Sequence, residues 1–173
     1  MKKLLFCLMM MLVPSVMMAQ GSFSVSNAFV NLLDGNGRVQ KAVMDASFSI
    51  KENGGTPKSV TFNTSTNNAS TNTTVTFKAN NINYSYVVNT IGGKKWTVVS
   101  LGSSSYFNSV VFMMPQDGGV GTCTIYTLNG NKTSVVSGIE VQLSPSKCNE
   151  LFTFLKNFVR TNKVNKASDS QTL

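Results

Sequence analysis

Few residues in this chain are able to do chemistry. Its 173 residues include 15 Lys and Arg, seven Asp and Glu, three Cys and no His. Without histidine, Ser-His-Asp and Cys-His nucleophilic catalysis, His-ligated zinc and histidine-based pH switching are excluded within the chain. The carboxylates are Asp34, Asp45, Glu52, Asp117, Glu140, Glu150 and Asp169. Glycoside hydrolysis needs two carboxylates about 5–10 Å apart in a cleft. Asp34 and Asp117 stand in turn sequences, where an Asp side chain bonds nearby backbone. Glu140 falls on the polar side of an alternating run, Glu150 in the first turns of a helix, and Asp169 in the terminal segment. Asp45 and Glu52 remain, and Asp45 lies on the polar side of its own run. No residue set carries a catalytic role, and the chain is expected not to be an enzyme.

Cofactors and metals fare no better. Two cysteines without histidine make no zinc site. Asp34-Gly35-Asn36-Gly37 lacks the later acidic ligands of a calcium loop and reads as a hairpin turn. No Gly-rich loop follows a strand and opens a helix, so nucleotide binding has no support. No cofactor and no metal are expected.

Residues 1–19 have the pattern of a secretory signal. Lys2 and Lys3 precede an apolar run from Leu4 to Val13, Pro14 breaks it, and Ala19 offers a small residue for cleavage. The run is about half the length that a bilayer-spanning helix needs. Cys7 lies inside the run rather than after the small residues, so no lipid anchor is expected. The expectation is an exported, periplasmic or secreted bacterial protein with no membrane span after cleavage. Removing Lys2 and Lys3 from the 15 basic residues leaves 13 against seven acidic ones, a net +6. Cys123 and Cys148 then remain, and in an oxidising compartment the pair predicts one disulfide, which would stabilise by about 3 kcal/mol.

The elements that must position any site alternate with period two. Ala42, Met44, Ala46, Phe48 and Ile50 predict one apolar face; Val75, Phe77 and Ala79, then Ile82, Tyr84, Tyr86 and Val88, then Ile139, Val141 and Leu143 repeat the pattern. Val110–Met114 is apolar on both sides and predicts a central or covered strand. Asp34–Gly37, Asn80-Asn81, Gly92-Gly93, Pro115–Gly119 and Asn129-Gly130 are turn sequences too short for helical crossovers. Nine strands are predicted, near 22–33, 37–50, 58–63, 73–79, 82–90, 95–101, 106–114, 121–128 and 132–143, with Asn63–Thr74 as a polar loop. Ser144 and Pro145 open a helix over about 145–162, whose apolar face is Cys148, Leu151, Phe152, Leu155, Phe158 and Val159. Residues 163–173 lose the pattern and are read as a flexible tail.

The expected fold is therefore all-β with one C-terminal helix. It is an antiparallel meander of about 8–9 strands in a single domain over 20–162, barrel-like or, alternatively, a β-sandwich. Strand order plus terminal helix is similar in architecture to the lipocalin arrangement. That family's Gly-x-Trp near the first strand has no counterpart here, since Trp96 is mid-chain.

Two function classes follow. A barrel enclosing a cavity would bind a small amphipathic ligand, with Phe77, Tyr84, Tyr86, Trp96, Phe112 and Met114 as lining candidates. Lys94 and Lys95 beside Trp96 are candidate surface contacts for an anionic or sugar partner. The alternative is a structural or interaction component of the envelope or secretome, meeting an envelope protein or glycan through loops and strand edges. Nucleic acid is not expected, because the basic residues are diffuse.

Overall fold

Among the described residues, the alternating sequence becomes ten strands and one long helix. The structure, a computed structural model, describes residues 21–66, 72–103, 108–131, 134–162 and 164–166. The signal-like segment 1–19 and most of the terminal tail lie outside the described residues. The strands are β1 (Ser22–Asp34), β2 (Val39–Asn53), β3 (Ser59–Ser65), β4 (Thr73–Lys78), β5 (Ile82–Ile91), β6 (Lys94–Ser103), β7 (Asn108–Pro115), β8 (Gly121–Leu128), β9 (Val135–Leu143) and the short β10 (Asn165–Lys166). Helix α1 spans Pro145–Thr161.

All ten strands belong to one sheet, in the order β10-β5-β6-β7-β8-β9-β1-β2-β3-β4. Nine form an antiparallel meander curled into a half-barrel, and α1 packs on it; the sandwich alternative is not adopted. The first and last long strands pair, with Val30 opposite Val141 and Leu32 opposite Ile139. That is where an up-and-down barrel closes. The opening lies instead between β4 and β5, which are joined by a single 3-10 turn, Ala79–Asn81, and are not neighbours in the sheet. The Asn80-Asn81 sequence thus does not make the expected hairpin.

Local chemistry explains the junctions. The Oδ1 of Asp34 accepts from the backbone N–H of Asn36 and Arg38, both at 2.8 Å, and Gly37 takes φ +74°. A side-chain acceptor plus a residue free to adopt positive φ is what this turn needs. At α1, the Ser144 hydroxyl accepts from the Lys147 N–H at 3.4 Å, and Pro145 occupies the first helical turn. Cys148, Leu151, Leu155, Phe158 and Val159 are buried, as their spacing predicts, with Phe152 packed against the core from its edge.

Two features depart from simple alternation. Asn27 and Asp45 take left-handed conformations, φ 53° and 62°. Between Val25 and Ala28, β1 carries one extra residue relative to β2; between Ala28 and Val30 the extra residue is on β2. Each bulge shifts which side chains point inward. Ala46, Phe48 and Ile50 therefore face the core, whereas Ala42 and Met44, expected on the same face, are exposed, Met44 at 72%. The polar loop is also shorter than expected. Strands β3 and β4 run to Ser65 and from Thr73, and the Thr74 hydroxyl donates to Asn63 Oδ1 at 2.8 Å. Thr suits a pleated strand as well as a loop.

The core fills the concave side. Phe23 meets Phe48 edge-on at 6.0 Å, Phe62 meets Phe77 at 5.8 Å, and Leu151, Leu155 and Phe158 of α1 join them. Part of the expected tail also belongs here: Val164 is buried in this core, and Asn165 and Lys166 pair in parallel with Asn83 and Tyr84.

Candidate functional site

The lining candidates divide by position. Phe77 and Phe112 are fully buried and Tyr84 nearly so, within the same core as the inner face of α1. Tyr86 and Met114 are half-buried and pack against that core. The Tyr86 ring lies 6.1 Å from Phe152 of α1. The structure thus brings these five together, but around packed side chains of the protein's own helix. Trp96 stands apart. It is half-buried outside that core, and its Nε1 donates to Ile91 O at 3.3 Å, across the β5–β6 turn.

Open clefts lie at the ends of the half-barrel. One, of about 310 Å³, is bordered by Thr97, Met114, Gln116, Gly119, Cys148 and Asn149, between the β7–β8 turn and the start of α1. Gln116 Nε2 donates to the Thr97 hydroxyl at 3.4 Å. A second, of about 420 Å³, is bordered by Thr56, Lys58, Asn80 and Asn162 near the end of α1. Of these residues only Met114 was a lining candidate by sequence, and Cys148 was expected in a disulfide. The rest come from distant segments that only the helix packing brings together, and no spacing in the chain foretells them.

The expected disulfide is not formed. Cys123 and Cys148 are free thiols, both buried. Cys148 Sγ donates to Leu143 O at 3.6 Å, a local bond at the helix start. Burial pushes both thiols up from their ordinary pKa, and for Cys123 the neighbouring Cys148 adds to the effect. A backbone bond from Gly121 partly opposes the shift at Cys148. Both are held as neutral SH groups packed as small hydrophobes.

The surface candidates are separated by their partners. Lys94 Nζ lies 3.0 Å from Asp117 Oδ2, and this hydrogen bond lowers the Asp117 pKa. Lys95, on the same strand, is exposed and paired in register with Thr90. The last two carboxylate candidates do not form a dyad: Asp45 sits in its bulge, and Glu52 is bound to Lys58 at 3.1 Å. Among the described residues no three His, Cys, Asp or Glu side chains cluster as metal ligands, and no helix is long and apolar enough to cross a membrane.

The open edges of the sheet are the remaining feature, and sequence reasoning missed where they fall. Among the described residues, β10 covers β5 only at Asn83 and Tyr84, so the outer edge from Ser85 to Ile91 pairs with no strand. Beside it Val88 is 37% and Ile91 46% exposed. Comparison with known proteins finds no matching family model, no matching curated protein and no matching solved structure.

Proposed function

We propose that this is an exported, non-catalytic protein that works by docking partners on its outside, as an interaction component of the envelope or secretome. The observation that supports this reading is the packing of α1 on the half-barrel's core, together with a strand edge on its rim that pairs with no described strand. A sheet that wraps its own helix has spent its concave face on stability. What it still offers is backbone hydrogen bonding along an edge, the turns, and a basic surface. A photoreactive side chain placed at Val88, at Thr74 or at Met114 tests the reading in the native envelope. Cross-links to a polypeptide or glycan from Val88 or Thr74 are expected. A small molecule captured at Met114, with nothing at the other two positions, would overturn it.

A second reading has one observation in its favour. The cleft of about 310 Å³ beside Met114 is at the lower end of sizes that hold small ligands, with apolar Met114 and Pro145 facing polar Gln116 and Asn149. A small amphipathic ligand would sit there rather than within the barrel. Native mass spectra showing an added mass that is lost on denaturation, and absent in Met114→Glu, are the result expected for that reading.

A further inference from the structure

We infer that the outer edge of β5, Ser85–Ile91, is a strand-addition site for an extended segment of another protein, uncharged along its centre, that carries carboxylates at its ends. The inference rests on the outward-docking reading above and names the place and the partner's chemistry.

Free strand edges are hazards that proteins guard with charge, proline, bulges or shortness. The other edge strand, β4, shows such devices: it has six residues and ends in Lys78. The segment Ser85-Tyr86-Val87-Val88-Asn89-Thr90-Ile91 has no charge and no proline, and its register with β6 is unbroken from Ile82 to Ile91. Seven residues of extended chain present about 23 Å of backbone donors and acceptors. The side chains that a partner would cover are already half apolar: Tyr86 packs on Phe152, and Val88 and Ile91 are exposed.

Charge selects the partner. An exposed lysine brackets each end of the edge: Lys166 opposite Tyr84, and Lys95 opposite Thr90. Strands β5, β6 and β10 hold no acidic residue. In a second copy of this chain added across a twofold axis, Lys166 of one copy would meet the lysine-bearing β5–β6 turn of the other. Like charges face to face disfavour that pairing. A segment with Asp or Glu flanking a Val- and Thr-rich centre satisfies the backbone, covers Val88 and neutralises both ends.

The test uses the purified full chain and a synthetic peptide, acetyl-Glu-Asp-Val-Thr-Val-Thr-Val-Asp-Glu-amide. Its controls are the same peptide N-methylated at its valines, and a version with Lys at both ends. Binding at low salt is expected, with amide exchange slowed along Ser85–Ile91. The N-methylated and Lys-flanked peptides are expected to bind at least tenfold more weakly. The Lys95→Glu, Lys166→Glu double variant changes only exposed side chains and is expected to lose at least tenfold in affinity for the acidic peptide. Three results would overturn the inference: no binding, equal binding of the N-methylated peptide, or protection, without any peptide, of those Ser85–Ile91 amides that point away from β6. Protection that rises with protein concentration would identify a second copy as the occupant. Protection that does not, and that disappears when residues 167–173 are removed, would identify the chain's own terminus. If the peptide fails while Thr74 still cross-links a polypeptide, this inference falls and the docking reading stands.

Discussion

A methyl group added to Gly121 would lie 2.5 Å from Cys148 Sγ and 2.5 Å from the backbone oxygen of Met113. Strand β8, strand β7 and the first turn of α1 meet at a point that admits no side chain. The backbone of β7 cannot swing aside as a flexible side chain would. Gly121→Ala is therefore expected to destabilise the fold by about 1–3 kcal/mol, the usual cost of overpacking. Urea unfolding checks it, and an unchanged midpoint would show that helix and sheet are not so closely apposed. Gly92→Ala, with nothing within 4 Å of its added methyl but φ +59°, is a control for backbone strain alone.

The thiols have a distinct signature. Because burial raises the pKa of both, the thiolate fraction at pH 8 is small, and thiolate is the reacting form. The native protein is expected to take up iodoacetamide at neither Cys123 nor Cys148. After unfolding without reductant it is expected to take it up at both. Mass spectrometry reads the difference directly, and two missing adducts in the unfolded sample would mean that the sulfurs are joined.

Met44 and Phe48 occupy positions of the same parity on β2, yet only Phe48 is in the core. The bulge at Asp45 separates them. Met44→Ser is expected to change stability by no more than about 0.5 kcal/mol, as for other exposed sites. Phe48→Ala is expected to cost about 3–5 kcal/mol. Comparable losses for the two would show that the strand runs without the bulge.

The Lys94–Asp117 pair predicts a pH effect of definite sign. The Asp117 pKa is lowered in the folded state, first by its hydrogen bond with Lys94. Its contribution to stability is then present above the unfolded carboxylate pKa and lost as pH falls through the lower folded value. Both side chains are well exposed, so salt should weaken the effect. A carboxyl NMR titration is expected to place Asp117 below 3.8 and to move it up in Lys94→Met. No movement would show that the pair does not form in solution.

Much of this architecture is written locally. The two-residue period of Val75–Ala79 or Ile139–Leu143, the Asp34 turn and the spacing from Cys148 to Val159 each depend on neighbours within a few residues. Strand positions, the helix, its Ser144 cap and most of the core follow from sequence alone. The sequence also excludes histidine chemistry, because a missing residue type needs no fold to be missing. What only the tertiary structure decided is non-local. Backbone hydrogen bonds are the same for every strand, so alternation does not say that β9 pairs with β1 while β4 and β5 part. The same register choice, acting through the bulge at Asp45, turns Met44 outward. Burial likewise depends on what arrives from afar. Phe77, Tyr84 and Phe112 look like a cavity lining until they are packed in one core with α1, and Cys123 and Cys148, paired by count alone, are free thiols in the structure. The edge of β5 that no described strand covers is a product of pairing elsewhere, and no residue within Ser85–Ile91 could have announced it.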